Sequence, residues 1–214
     1  MRCPGIDYPV WRKGRIQAIL EYYGAEFFRG KSILEVGCGD GSIGNFFYYL
    51  GAEVSCSDVR PTYMDEIFHR NSNIKTEQCD LNIEWPFQDE YFDIVLCMGV
   101  LYHLKRPDIA MCNVCRHANY LIIETQVRKD KNKQFELKRE LPPNRKKGEC
   151  EIDDHAYDGQ GCRFSIDFIE NILRQENMQF NMLPTKQAEQ IKGFANNNNR
   201  MWFCEKRQGE SDRN

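Results

Sequence analysis

From residue 31 onward, short apolar runs alternate with longer amphipathic stretches, the pattern of a parallel sheet flanked by helices. The runs are Ser32–Val36, Ala52–Ser57, Ile74–Cys79, Phe92–Met98 and Tyr120–Glu124, each shorter than a buried helix. The first four stop at Gly37, Asp58, Asp80 and Gly99, residue types that end strands. Helices are predicted between them, from Ser42 to Leu50, onward from Pro61, and from Pro107 to His117. Proline is tolerated at a first helical position. Upstream, Ile16, Ile19, Leu20, Tyr23 and Phe27 fall at helical spacing within Trp11–Phe28. That spacing predicts a helical cover over residues 1–30.

The alternation breaks at Arg128. As far as Gly161 the chain reads as polar and irregular, with the breakers Pro142 and Pro143. So long a connection inside a compact domain points to function or disorder, and residues 128–163 are read as an inserted lid or recognition segment. Ser165 is a predicted N-cap for a helix reaching about Asn177. Phe180–Leu183 and Met201–Cys204 are the last strand candidates, and 207–214 reads as a frayed tail. The expectation is one α/β domain over residues 1–214. It has a mostly parallel seven-stranded sheet, helices on both faces and an antiparallel C-terminal strand.

Composition narrows the possibilities. With 41% hydrophobic and 29% charged residues, the chain has the make-up of a soluble globular protein. A net charge of -3 argues against coating a nucleic acid by charge alone. No apolar run reaches the ~20 residues of a membrane span, and Met1–Gly5 lacks a secretory apolar segment, so the expected location is cytoplasmic. The 10 cysteines sit mostly inside apolar runs, as Cys56 and Cys97 do, and there they act as small buried hydrophobes. Cys112 and Cys115 lie on a predicted helix beside Ile109 and Val114. They are assigned to core packing, and no metal is expected.

The stretch richest in chemistry is Ile33-Leu34-Glu35-Val36-Gly37-Cys38-Gly39-Asp40-Gly41-Ser42. A buried strand runs into a turn whose alternate residues lack a Cβ, so the backbone can bend sharply and approach a ligand closely. The following helix offers free N–H groups at its start. Gly39-Asp40-Gly41-Ser42-Ile43-Gly44 satisfies the dinucleotide fingerprint in letters, with Asp58 about twenty residues on. Its register is two residues late, because the glycine closing the strand is Gly37. Glu35 also gives a pyrophosphate nothing to bind. A ligand bearing an ammonium and a sulfonium gains from such a carboxylate.

Taken together the segment resembles motif I of class I S-adenosylmethionine-dependent methyltransferases, an acidic residue followed by G-x-G-x-G. The likeness continues in order over about residues 31–127. Asp58, followed by Val59, is similar to the acid that holds the ribose hydroxyls in that family. Asp80-Leu81 is similar to the pair that reads adenine. Trp85 to Val95 and Met98 to Leu104 are similar to the stretches into and out of strand four. The resemblance implies a Rossmann-like fold and S-adenosyl-L-methionine as cofactor. The implied binding residues are Glu35, Gly37, Cys38, Gly39, Asp58, Val59, Asp80, Leu81 and Met98.

Methyl transfer from a sulfonium is an in-line displacement with an activated leaving group, so alignment counts for more than a catalytic side chain. A base is needed only when the acceptor must lose a proton first. His103 is the candidate base, with helix capping or a backbone hydrogen bond as the alternative. Tyr102, His103, Asp154, His155 and Tyr157 are candidate acceptor-site residues. Cys97-Met98-Gly99-Val100 stands where amino-methylating DNA enzymes carry a D-P-P-Y-like motif, and no Pro-Cys dipeptide occurs. A small-molecule acceptor is expected, with RNA as the alternative. Lysines and arginines outnumber acids between Arg128 and Lys147. Met98–His103 and Leu121–Thr125 also look like pieces of tRNA wobble-uridine carboxymethyltransferases. Two further alternatives stay open, a nicotinamide-dependent dehydrogenase and a non-catalytic cofactor-binding module. The oligomeric state is left open too.

Overall fold

The structure, a computed structural model, describes residues 8–128, 134–139, 156–157, 159–184, 187, 191, 194 and 198–207. In chain order the elements are α1 (Tyr8–Tyr23), β1 (Ser32–Val36), α2 (Ser42–Tyr49), β2 (Glu53–Asp58), α3 (Pro61–Arg70), β3 (Lys75–Gln78) and β4 (Phe92–Met98). Then follow α4 (Pro107–Arg116), β5 (Ala118–Gln126), β6 (Phe135–Arg139), β7 (Gln160–Phe164), α5 (Ile166–Gln175), β8 (Met178–Met182) and β9 (Asn199–Lys206). Seven strands form one sheet in the order β3-β2-β1-β4-β5-β9-β8. The first five are parallel, and β9 runs antiparallel to both β5 and β8. This is the sheet the sequence predicts, with its C-terminal strand reversed.

The strands alternate so as to feed two cores. Val95 and Cys97 of β4 point to one face, which packs against Met111 and Val114 of α4 and Ile169 and Leu173 of α5. Ile94, Leu96 and Met98 point to the other, against Ile19 of α1, Phe47 of α2 and Ile67 of α3. Both faces are covered, which is why these strands read as unbroken apolar runs. The predicted N-cap holds: the Ser165 hydroxyl accepts the N–H of Phe168 at 3.1 Å.

Two expectations need correction. The leading helix stops at Tyr23, and Ala25–Phe28 forms a separate 3-10 turn. The segment read as irregular contains strand β6, which pairs antiparallel with β7 in a second, two-stranded sheet. In β6, Phe135 and Leu137 alternate with charged residues and are exposed on the surface, so its period-two pattern is lost among lysines and glutamates. The β7 side carries the packing, with Cys162 and Phe164 buried. Sγ of Cys162 donates to the carbonyl of Leu101 at 3.4 Å, anchoring this small sheet to the 3-10 turn Leu101–His103. Among the described residues no helix is long and apolar enough to cross a membrane.

Candidate functional site

Strand order reverses between β1 and β4, so connections leave these two strands in opposite directions and open a crevice at their carboxyl ends. A cleft of about 990 Å³, its open mouth included, occupies that crevice. Glu35, Gly37, Cys38, Gly39, Asp58 and Val59 line it from β1, β2 and the turns after them. Asp80, Leu81, Met98, Tyr102, His103 and Tyr157 line it from the loop after β3, from β4 and beyond. Asp154 and His155 lie outside the described residues.

The glycine turn is built for close approach. Gly37 has φ +61° and Gly39 φ +54°, in the left-handed region that side chains disfavour. A Cβ on Gly37 would stand 2.5 Å from Cγ2 of Val100, whereas one on Gly39 would meet nothing within 4 Å. Gly37 is therefore fixed by packing, and Gly39 borders open space that a ligand can fill.

The three carboxylates brace the backbone around the cleft, Asp58 at this turn, Glu35 at the helix after it and Asp80 at the loop after β3. Oδ2 of Asp58 accepts the N–H of Gly39 at 3.0 Å, and Oδ1 accepts that of Arg60 at 3.0 Å. Burial pushes the Asp58 carboxyl above its ordinary range despite these N–H bonds. Glu35 is 4% exposed, and its Oε2 accepts the N–H of Gly44 at 2.7 Å. Burial drives its carboxyl up to about 7, against the opposing pull of Gly44 and then Arg12. Oδ1 of Asp80 accepts the N–H of Asn82 at 2.9 Å, a side-chain turn that rigidifies the loop after β3.

Helix α1 supplies residues that the sequence reading missed. Trp11, Arg12 and Arg15 all line the cleft. Arg12 reaches Asp40 at 2.7 Å and so pins the glycine turn from above. Arg15, 4% exposed, is ion-paired with the fully buried Glu124 at the end of β5, and its guanidinium lies 3.5 Å from the centroid of the Trp11 ring. Asn199 donates to the other oxygen of Glu124. Burial raises the Glu124 carboxyl, outweighing the charge of Arg15. Arg15 lines the cleft, and its buried Nε has no partner among the described residues. A signal existed: Trp11, Arg15 and Ile19 stand at i, i+4 and i+8, so Arg15 interrupts a buried stripe.

At the opposite wall, the rings of Tyr102 and His103 stand 4.2 Å apart between centroids. Tyr157 packs near Arg60, 5.9 Å from ring centroid to guanidinium. Cys115 is fully buried in the core and Cys112 half-buried, consistent with packing.

The chain's likeness to known proteins agrees with this geometry. Residues 8–183 match the family model described as a methyltransferase domain. A mitochondrial ubiquinone biosynthesis O-methyltransferase of Schizosaccharomyces pombe is 31% identical over 86 residues, covering 37% of this chain and 31% of that protein. The human probable tRNA methyltransferase 9B is 29% identical over 122 residues, covering 53% of this chain and 25% of that protein. Against these relatives the chain aligns with no more than about a third of their length. Among solved structures, magnesium protoporphyrin IX methyltransferase from Synechocystis PCC 6803 with bound SAH is similar in fold. Its TM-score is 0.61 at 16% identity, over 92% of this chain and 84% of that one. With a family model spanning most of the 214 residues and this sheet order beneath it, the chain belongs to the class I, S-adenosylmethionine-dependent methyltransferase family.

Proposed function

We propose that this protein transfers the methyl group of S-adenosylmethionine to a small-molecule acceptor through a hydroxyl oxygen. The observation that carries the reading is the set of three carboxylates, Glu35, Asp58 and Asp80, at the ends of three neighbouring strands around one glycine turn. The open space at Gly39 fits an adenosyl ligand, because the backbone there can approach a ribose or amino-acid chain without a Cβ in the way. Asp58 would hold the ribose hydroxyls, since a carboxylate has lone pairs left after accepting two N–H bonds. The ammonium of the amino-acid end would draw the Glu35 carboxyl, which burial holds near 7, into its charged form, and Arg15 lines the cleft as a cation suited to that end's carboxylate. Bound there, the cofactor supplies a methyl group on a positively charged sulfur.

For the acceptor, the chain offers the rings of Trp11, Tyr102 and Tyr157 and the imidazole of His103. Such a lining suits a planar, apolar framework. His103 would take the proton that a hydroxyl must lose, either directly or through a water. The names of the ubiquinone-pathway relatives support an oxygen acceptor. An RNA acceptor is the second reading, favoured by the tRNA methyltransferase relative. Cytoplasmic location remains our reading.

Calorimetric titration tests the cofactor half. S-adenosylmethionine and S-adenosylhomocysteine are expected to bind saturably and NAD not at all, with both adenosyl ligands lost in Asp58→Ala. Binding of NAD alone would revive the dehydrogenase reading and sink this one. For the acceptor half, His103→Ala should lower methyl transfer to a hydroxyl acceptor about a hundredfold or more, with S-adenosylhomocysteine affinity unchanged.

A further inference from the structure

Strand β6 has one partner and one open edge. It pairs with β7 in a register running from Phe135↔Phe164 to Arg139↔Gln160. Just before it, the N–H of Ser165 donates to the carbonyl of Gln134 at 3.0 Å. In an antiparallel ladder, residues that exchange such bonds alternate with residues whose N–H and C=O point away from the partner strand. The Gln134–Ser165 bond sets the phase, so Glu136 and Lys138 bond to β7, while Phe135, Leu137 and Arg139 turn their backbone groups outward. Among the described residues nothing pairs with those outward groups. Proteins usually blunt such an edge with charge, proline or a bulge. Here two of the three outward positions are apolar, Phe135 at 40% and Leu137 at 53% exposure. A ribbon of two strands is also marginal by itself.

We propose that the protein forms a two-fold homodimer in which β6 pairs with β6 of a second copy, antiparallel about Leu137, to give one sheet in the order β7-β6-β6-β7. The sequence Phe135-Glu136-Leu137-Lys138-Arg139 complements itself in that arrangement. Leu137 meets its own copy and Phe135 meets Arg139, all at positions whose backbone groups already point outward. Glu136 meets Lys138 of the second copy, twice by symmetry, at the positions where opposed side chains stand closest. Sliding one copy by two residues keeps the backbone phase but sets Glu136 against Glu136, or Lys138 against Lys138, so charge selects the register. Within its own chain Glu136 stands opposite Arg163 of β7, and the pairing places its carboxylate between two cations. Cys162 of β7 is bonded to Leu101, so the joined sheet is tied to the Leu101–His103 turn in both subunits. Strands of 5 residues a side make a small interface, so the dimer is weak and depends on concentration.

Sedimentation equilibrium of the full chain tests this, whatever acceptor the cleft takes. Wild type should show a monomer–dimer equilibrium. Glu136→Lys and Lys138→Glu each set like charges opposite one another at both symmetric places, and each should weaken the dimer about tenfold or more. Mixed in equal amounts, the two variants should associate with each other at close to wild-type affinity, because each supplies the charge that the other lacks. Glu136→Lys also breaks the ion pair with Arg128 inside the chain, but mixing would not mend a defect of that kind. Leu137→Lys, at an exposed position on the two-fold axis, should abolish association with the fold intact, and it carries the test should a charge reversal fail to fold. A wild type that stays monomeric up to its solubility limit overturns the proposal. So does a dimer that all three substitutions leave intact, or a mixture of the two charge variants that stays monomeric.

Discussion

Oε2 of Glu35 accepts the N–H of Gly44 at 2.7 Å, so the carboxyl at the end of β1 is bonded to the first turn of α2. The helix start offers N–H groups with no partner inside the helix, and an acid placed against them satisfies one and meets the positive end of the dipole. Glu35 is nonetheless so fully enclosed that burial dominates and holds its carboxyl near 7. The residue that the sequence suggests as a counter-charge for a cation is therefore also the strut that seats α2 beneath the glycine turn.

A pH dependence follows. The Glu35 carboxyl titrates at about 7 in the folded chain, against an ordinary value of 4.5. Between those limits the folded form keeps a proton that the unfolded chain has released, so stability falls as pH rises through the window and levels off above it. Glu35→Gln removes the effect. Relative to that variant, wild type should lose up to about 3 kcal/mol between pH ~4.5 and pH ~7. Denaturant unfolding of both proteins near the two ends measures it, and identical pH slopes would refute the assignment.

The two glycines of the turn should fail differently. Gly37→Ala drives a Cβ to 2.5 Å from Val100 in a strained φ of +61°, and overpacking with strain costs about 2 kcal/mol or more. Val100→Ala in the same chain should recover part of it. Gly39→Ala meets no neighbour within 4 Å, so only the left-handed backbone costs stability, roughly 1–2 kcal/mol. Its methyl group occupies the ligand's space, and S-adenosylhomocysteine affinity should fall steeply. Thermal melts paired with titrations distinguish the two, and equal loss of stability in both variants would contradict the packing argument.

Asp58 should not tolerate its nearest isostere. Both oxygens accept backbone N–H groups, from Gly39 and from Arg60. Asparagine has one oxygen, so Asp58→Asn turns an NH2 against one of those donors. A buried donor left unpaired costs about 1–3 kcal/mol, and the turn that it supports loosens with it. Reduced thermal stability together with lost adenosyl binding is expected. Wild-type affinity in Asp58→Asn would mean that its carboxylate charge contributes little to the site.

Strand ends were legible because chemistry and punctuation coincide there. Glu35, Asp58 and Asp80 close short apolar runs, and a run that stops at an acid or glycine is visible in one dimension. Arg15 was legible only as a cation interrupting the Trp11–Ile19 stripe, because its meaning depends on Glu124, 109 residues away. In the sequence it is one of three cations on an amphipathic helix, a pattern usually read as a solvated face. Strand β6 was missed for the opposite reason. Its apolar positions, Phe135 and Leu137, are themselves largely exposed, so no core imposes a hydrophobic run. Asn82 gave no signal at all, since its Oδ1 accepts backbone N–H groups of Lys105 and Arg106, which no side-chain pattern encodes.

Arg15 lines the cleft and is ion-paired with the buried Glu124, and removal of this pair should be asymmetric. Arg15→Met leaves a fully buried carboxylate whose remaining side-chain partner among the described residues is Asn199, and breaking a buried pair from one side costs about 3–5 kcal/mol. Adding Glu124→Gln removes the lone charge, so the double variant should regain much of the stability that the single variant loses. Ligand binding should not recover in parallel. If Arg15 engages the carboxylate of the cofactor's amino-acid end, both variants lose the advantage of S-adenosylhomocysteine over methylthioadenosine, which lacks that carboxylate. A charge-assisted bond of this kind amounts to about 1.5–3 kcal/mol, so the preference should drop by roughly tenfold or more. A double variant that is stable and still discriminates between the two ligands would leave Arg15 a structural counter-ion to Glu124 and nothing more.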